Sequence, residues 1–245
     1  MKKIHILGQA RSGTTYLATA LGGKIMPTVD LFYSEPFNKD TRLYTKMDLN
    51  QVQHNAVMRD VILNWKSDKS IIMKNLLVQI AILEKNNLLE DFLSADFYTI
   101  LMVRRDLFQT AVSRSRAYLT SEYTRYTQAL ITIEPKVFAN ILTQVWCNHI
   151  ELLQNRWGIT YNEIVYYEDL SGDPDTDVAN LKIYNPKYFR SNRGHKLAPQ
   201  HAPDKKSTIV NYAELEVVAQ QMTKTFYHPD ITIENMQIKI NLPGF

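Results

Sequence analysis

Four short runs of the chain carry a strand pattern: Ile4-His5-Ile6-Leu7, Ser70-Ile71-Ile72-Met73, Phe97 to Val103, and Glu163 to Tyr167. The first three are too continuously apolar for strands with one face in water, which is the signature of a buried parallel sheet. Between the runs the period changes to that of helices. A helix opens at Thr14 with Leu17, Ala20 and Leu21 on its apolar face, and Gly22-Gly23 is expected to close it. Leu76 to Leu93 reads as one leucine-rich helix, with Leu88, Leu89, Phe92 and Leu93 packing its end. Leu107 to Ser115 places Phe108, Ala111, Val112 and Ser115 inward. Phe138, Ile141, Leu142, Val145, Trp146, His149, Ile150 and Leu153 form the strongest amphipathic repeat, and Gly158 is expected to end it. Ala213 to Phe226 reads as a further helix, and Ile231 to Pro243 as an alternating extended segment. Strands alternating with helices predict an α/β fold with a mainly parallel central sheet flanked by helices. No linker, repeat or low-complexity tract divides the chain, so residues 1–245 are expected to form a single domain.

Composition narrows the function classes. With 45% hydrophobic residues the chain can bury a sizeable core. Its 28 basic and 25 acidic residues leave a net charge of +3, too small for nucleic acid or a membrane surface to be an expected partner. Any anion site must therefore be local. A single cysteine, Cys147, excludes an intrachain disulfide framework and a cysteine-based metal cage, and fits a reducing cytoplasm. Met1-Lys2-Lys3 runs straight into the first strand, so neither a secretory leader nor a membrane anchor is expected.

The candidate chemistry begins at Gly8-Gln9-Ala10-Arg11-Ser12-Gly13-Thr14-Thr15. This turn between a strand and a helix fits the phosphate-loop pattern G-x-x-x-x-G-K-[ST] at every fixed position except the lysine, which is Thr14. Backbone N–H groups of such a turn, together with the positive end of the helix, cradle a phosphate. In a triphosphate site the lysine reaches the β- and γ-phosphates and the next hydroxyl holds Mg²⁺. Here the nearest cation is Arg11, whose guanidinium can grip a terminal anion through paired hydrogen bonds. The bland reading of the same residues is a tightly packed turn.

Other strand ends carry cations, where ligands meet doubly wound sheets. The second run ends in Lys74-Asn75, and the third runs into Arg104-Arg105-Asp106, with Asp106 able to cap the next helix. Ser113 lies two turns into that helix. A P-loop kinase would ordinarily show an acidic residue at such a strand end to help hold Mg²⁺. Glu35 sits in the aperiodic, proline-containing stretch Met26 to Lys46 among Leu31, Phe32, Tyr33, Pro36 and Phe37, a setting that can raise a carboxylate's pKa; a solvated loop glutamate is the alternative. Tyr167-Glu168-Asp169-Leu170 follows the fourth strand, and a metal site there lacks histidines at ligand spacing. Arg193 and Lys196 lie in a basic, glycine-containing run suited to a loop over an anion, or to a solvated surface.

Arg11-Ser12-Gly13-Thr14-Thr15 resembles the 5′-phosphosulfate loop of sulfotransferases, especially the bacterial and tyrosylprotein branches that carry arginine there. The resemblance spans residues 8 to 170 and implies a P-loop-NTPase-like sulfotransferase fold. It implies 3′-phosphoadenosine 5′-phosphosulfate (PAPS) as donor, bound without a metal. In this likeness Arg11, Ser12, Gly13, Thr14 and Thr15 hold the phosphosulfate, and Lys74 stabilises the transferring sulfonate. Arg105 and Ser113 grip the 3′-phosphate, Tyr167 lies near the nucleotide, and Glu35 is the base. Arg193 and Lys196 correspond to a late basic segment that closes the nucleotide site. The sequence departs from the family where Leu107 replaces the proline common after Arg-Asp. The acceptor stays open among sugars, peptide tyrosine, lipids and small metabolites. Two rival readings are a metal-dependent P-loop kinase and a non-catalytic nucleotide-binding protein.

Overall fold

The computed structural model describes residues 3–25, 72–94, 96–120, 129–184, 205–225, 231–234 and 237–240. Its centre is strand β1 (Ile4–Gly8), which pairs in parallel with β2 (Ile72–Leu76) on one side and β3 (Tyr98–Val103) on the other. With β4 (Glu163–Tyr166) the four-stranded sheet has the order β2-β1-β3-β4. Ile4, Ile6, Leu7, Met73, Ile100, Leu101 and Met102 are fully buried, so side chains on both faces of these strands are covered. That is why the runs are continuously apolar rather than alternating. The architecture is α/β, a parallel central sheet flanked by helices.

Two compact units share the chain. One comprises Met1–Val103, Trp157–Val165 and Asp169–Pro199; the other comprises Arg104–Arg156, Tyr166–Glu168 and Gln200–Phe245. In the first, α1 (Thr14–Ile25) follows β1, and α2 (Leu77–Lys85) and α3 (Leu89–Leu93) follow β2. Its last described helix is the short α6 (Pro174–Ala179). Asp173 caps that helix by accepting from the Thr176 N–H at 2.9 Å. The second unit holds α4 (Leu107–Thr120), α5 (Pro135–Gln154), α7 (Lys205–Thr208), α8 (Tyr212–Thr225) and a hairpin of β5 (Ile231–Glu234) with β6 (Gln237–Ile240). Its core packs Phe108 edge-on against Phe138 and Tyr212, with centroids 5.6 and 5.4 Å apart, over Leu142, Val145 and Leu215. No helix among the described residues is long and apolar enough to cross a membrane.

Element boundaries differ from the sequence pattern for identifiable reasons. Helix α1 continues through Gly22-Gly23, because glycine lowers helix propensity without imposing the left-handed residue that a stop requires. The expected helix over 76–93 is two helices. Leu76 belongs to β2, α2 ends at Lys85, and Asn87 turns left-handed at φ 55° before α3. Helix α5 likewise stops at Asn155 (φ 50°), upstream of Gly158. In both places asparagine takes the left-handed conformation, at Asn155 in place of the stop expected from Gly158 and at Asn87 where no break was expected. Among the described residues the second strand covers Ile72–Leu76, beyond the expected end at Met73, which puts Lys74 inside it, opposite Ile6; residues 70 and 71 of the expected run lie outside the described residues. Within the expected extended segment, Ile231–Glu234 pairs antiparallel with Gln237–Ile240.

Candidate functional site

Gly8 ends β1 where no other residue fits. A Cβ there would stand 2.7 Å from the Met102 carbonyl oxygen, the Ser12 hydroxyl and the Thr14 methyl group. The chain then curls tightly. Ser12 directs its hydroxyl (2.8 Å) and its N–H (3.3 Å) to the Gln9 carbonyl, and the helix begins with the Leu17 N–H on the Gly13 carbonyl at 3.1 Å. Arg11 and Gly13 are both left-handed, with φ 71° and 90°. Left-handed residues in a short turn bring successive N–H groups to one concave side, the backbone arrangement that accepts an anion. For Gly13 this conformation is free; Arg11 adopts it at a steric cost, which is how strain concentrates at functional turns.

Thr14, at the position of the phosphate-loop lysine, is buried beside Gly8. The lysine of this site comes from another strand. Lys74, only 4% exposed in β2, donates from Nζ to the Thr15 hydroxyl at 2.9 Å. Thr15 and Lys74 are thus brought together although 59 positions separate them. Next to the loop the Gln9 carboxamide is buried with neither Nε2 nor Oε1 hydrogen-bonded, an exception to the rule that buried polar groups find partners.

Behind the loop, the support is polar as well as apolar. Tyr16 donates to Asp177 at 2.5 Å, and the same buried carboxylate accepts from the Ser171 N–H (2.7 Å), the Ser171 hydroxyl (2.7 Å) and the Gly172 N–H (3.1 Å). This ties α1 to α6. His5 in β1 meets Thr99 and Asn75 at 3.4 and 3.3 Å and packs edge-on to Phe92. Burial lowers its pKa to about 3, and that of His149 in α5 to about 4. Both are neutral core imidazoles at neutral pH. Tyr98 is shifted the other way, up to about 12, by burial and by Glu163, to which its hydroxyl donates at 3.2 Å.

In the second unit, Arg104 and Arg105 meet Tyr166, the last residue of β4, and the two residues after it. The Arg104 guanidinium lies over the Tyr167 ring at 4.6 Å and that of Arg105 over Tyr166 at 3.9 Å. Glu168 accepts from the N–H groups of Arg105 (3.0 Å) and Asp106 (3.2 Å), and its carboxylate is 3.6 Å from Arg104 Nε. Asp106 caps α4 by accepting from the Gln109 N–H at 2.8 Å. Ser113 is buried on that helix rather than on its solvent face. Glu35, Arg193 and Lys196 lie outside the described residues. Arg11, Ser12, Gly13, Thr14, Thr15 and Lys74 belong to the first unit, and Arg105, Ser113 and Tyr167 to the second.

Sequence reasoning missed the Lys74–Thr15 contact, the stacking of Arg105 on Tyr166 and the role of Asp177, since each joins residues far apart in the chain. The only local signal for any of them was the pairing of two arginines at one strand end with two tyrosines at another. Among the described residues no group of three histidine, cysteine, aspartate or glutamate side chains is arranged to hold a metal ion. Compared with protein-family models and with curated proteins, the chain gives no match in either.

Proposed function

We propose that the protein is a sulfotransferase of the P-loop-like fold, moving the sulfonate of PAPS to a hydroxyl or amine acceptor without a metal. The observation that carries this reading is the hydrogen bond from Lys74 to Thr15. Thr15 occupies the place of the hydroxyl that holds Mg²⁺ in triphosphate loops. Here that hydroxyl accepts from an ammonium, so a fixed positive charge stands where a nucleoside-triphosphate site places its ion. Arg11 in the curled loop adds a forked cation. The loop N–H groups and Arg11 suit the oxygens of a phosphosulfate, and Lys74 suits charge building on the sulfonate; Arg105 and Ser113 are assigned to the 3′-phosphate by the resemblance alone. In the reaction a base, assigned to Glu35, takes the acceptor proton while the acceptor oxygen or nitrogen attacks sulfur in line. The bond from sulfur to the bridging oxygen breaks, and its electron pair leaves with adenosine 3′,5′-bisphosphate. Cations at the loop stabilise that charge. Arg193 and Lys196 would close over the nucleotide. A cytoplasmic setting belongs to the same proposal, and the exposed free thiol of Cys147 fits a reducing compartment.

Calorimetry tests the reading. Adenosine 3′,5′-bisphosphate should bind with a chelator present, and Arg105→Ala or Ser113→Ala should weaken it about ten- to a hundredfold, the loss expected for one charge-assisted hydrogen bond. Adenosine 5′-phosphate should be spared in both variants. Binding of ATP or GTP only with Mg²⁺, and none of the bisphosphate, would replace this proposal with a kinase. Bisphosphate binding without sulfonate transfer to any acceptor would leave a nucleotide-binding protein.

A further inference from the structure

We propose that the Gln9 carboxamide is the acceptor-selecting group of this site, and that it selects a vicinal pair of hydroxyls, as on a sugar ring. Gln9 joins the end of β1 to the loop, at the carboxyl edge of the parallel strands, where doubly wound sheets take their ligands. Its backbone is fixed, since its carbonyl accepts from both the N–H and the hydroxyl of Ser12. Its side chain is not paired at all: Gln9 is 2% exposed, and Nε2 and Oε1 are each buried without a hydrogen bond. The carboxamides at the end of the neighbouring strand are engaged. Asn75 Nδ2 meets His5 and Met73 at 3.3 Å, and Gln79 accepts from the Leu76 N–H at 2.8 Å. A buried amide with neither atom paired lowers the stability of the free protein, a cost that proteins carry at sites that serve a ligand.

The two unpaired atoms define the partner. Nε2 needs an acceptor and Oε1 needs a donor, side by side. A phosphate or sulfonate oxygen supplies acceptors alone, and an ammonium supplies donors alone. Two neighbouring hydroxyls supply both, one oxygen accepting from Nε2 while the other hydroxyl donates to Oε1. A single phenol hydroxyl cannot lie in line with both atoms and strands one of them, a loss that a buried site makes large. Among the acceptors open to this chemistry, Gln9 therefore favours a sugar or similar polyol over tyrosine or an amine. That the diol belongs to a sulfonate acceptor rests on the function proposed above; the diol contact itself does not.

Three measurements keep these apart. In urea melts Gln9→Met should unfold at a higher midpoint than the wild type, with Gln9→Leu as the second variant should methionine not fold. A lower midpoint in both shows a carboxamide already paired inside the protein and overturns the proposal. In nitrogen-15 NMR the Gln9 side-chain amide, identified by its loss in the variant, should shift on addition of methyl glucoside or methyl galactoside. Their 3-deoxy counterparts hold no adjacent ring hydroxyls and should bind at least about tenfold more weakly. No shift with either glycoside, or equal affinity for the 3-deoxy forms, overturns the contact. With PAPS as donor, kcat/KM should favour the diol about ten- to a hundredfold, and Gln9→Met should erase that preference. Transfer to a tyrosine peptide or an amine but to no glycoside overturns the acceptor assignment while the sulfotransferase reading stands. A diol-dependent shift in a protein that binds neither PAPS nor adenosine 3′,5′-bisphosphate leaves the contact standing and ends the sulfotransferase reading.

Discussion

Acidification should destabilise the protein through two buried imidazoles, and His5 permits the clearest measurement. Its ring is fully buried among Phe92, Phe97, Thr99 and Asn75, and burial lowers its pKa from 6.5 to about 3. The unfolded chain regains the ordinary value. Between the two values the unfolded state binds one more proton than the folded state, so stability rises with pH at about 1.4 kcal/mol per unit for each such histidine. The contribution is complete above 6.5 and is lost as pH falls toward about 3 for His5 and about 4 for His149. Taking the protein from roughly pH 7.5 to roughly pH 5 should therefore cost about 2 kcal/mol at each site. Urea melts followed by far-ultraviolet circular dichroism at a series of pH values measure this. In His5→Gln the fall between those two pH values should shrink by about 2 kcal/mol relative to wild type, whatever the variant's stability at neutral pH. Parallel curves for the two proteins, or a His5 resonance titrating near 6.5 in the folded protein, would refute the reasoning. The consequence reaches function, because β1 delivers the loop: nucleotide affinity should begin to fail in the same acid window.

Gly8→Ala should destroy the loop, since the new methyl would meet a backbone carbonyl at 2.7 Å that cannot step aside; the expected outcome is a lower melting temperature with loss of bisphosphate binding. Asp177→Ala strands the hydroxyl of Tyr16 and the N–H groups of Ser171 and Gly172, and should cost about 2–4 kcal/mol in a denaturant melt. Lys74→Met removes the ammonium from Thr15 while keeping a long apolar stem; single-turnover transfer should slow about 10²–10³-fold, with a smaller effect on product affinity. Glu35→Gln should slow the same step about 10²–10⁴-fold and leave product affinity unchanged; transfer at the wild-type rate would move the base to another residue, with His195 and His201 the next to test.

Local pattern alone determined the α/β class, because strands covered on both faces must be apolar throughout while helices keep one polar side, as Phe138 to Ile150 do along α5. The turn after β1 was legible for the same kind of reason: Gly8 and Gly13 stand where only glycine fits or where the backbone turns left-handed. The cap from Asp106 onto α4 is also local, three residues from donor to acceptor. Helix ends were read less well, since the stops at Asn87 and Asn155 use a residue that tolerates the left-handed region without demanding it. What no periodicity holds is which distant side chains meet. Lys74 looked like a strand-end cation, but register with Ile6 places it inside β2, and only that pairing brings its ammonium onto Thr15. Tyr16 and Asp177 meet across 161 positions, and Tyr166 beneath Arg105 is likewise a contact between two strand ends that only the folded chain brings together. Hydrophobic pattern specifies what is buried, a one-body property of each residue. The polar contacts of the site are pair properties, and strand order and register decide them.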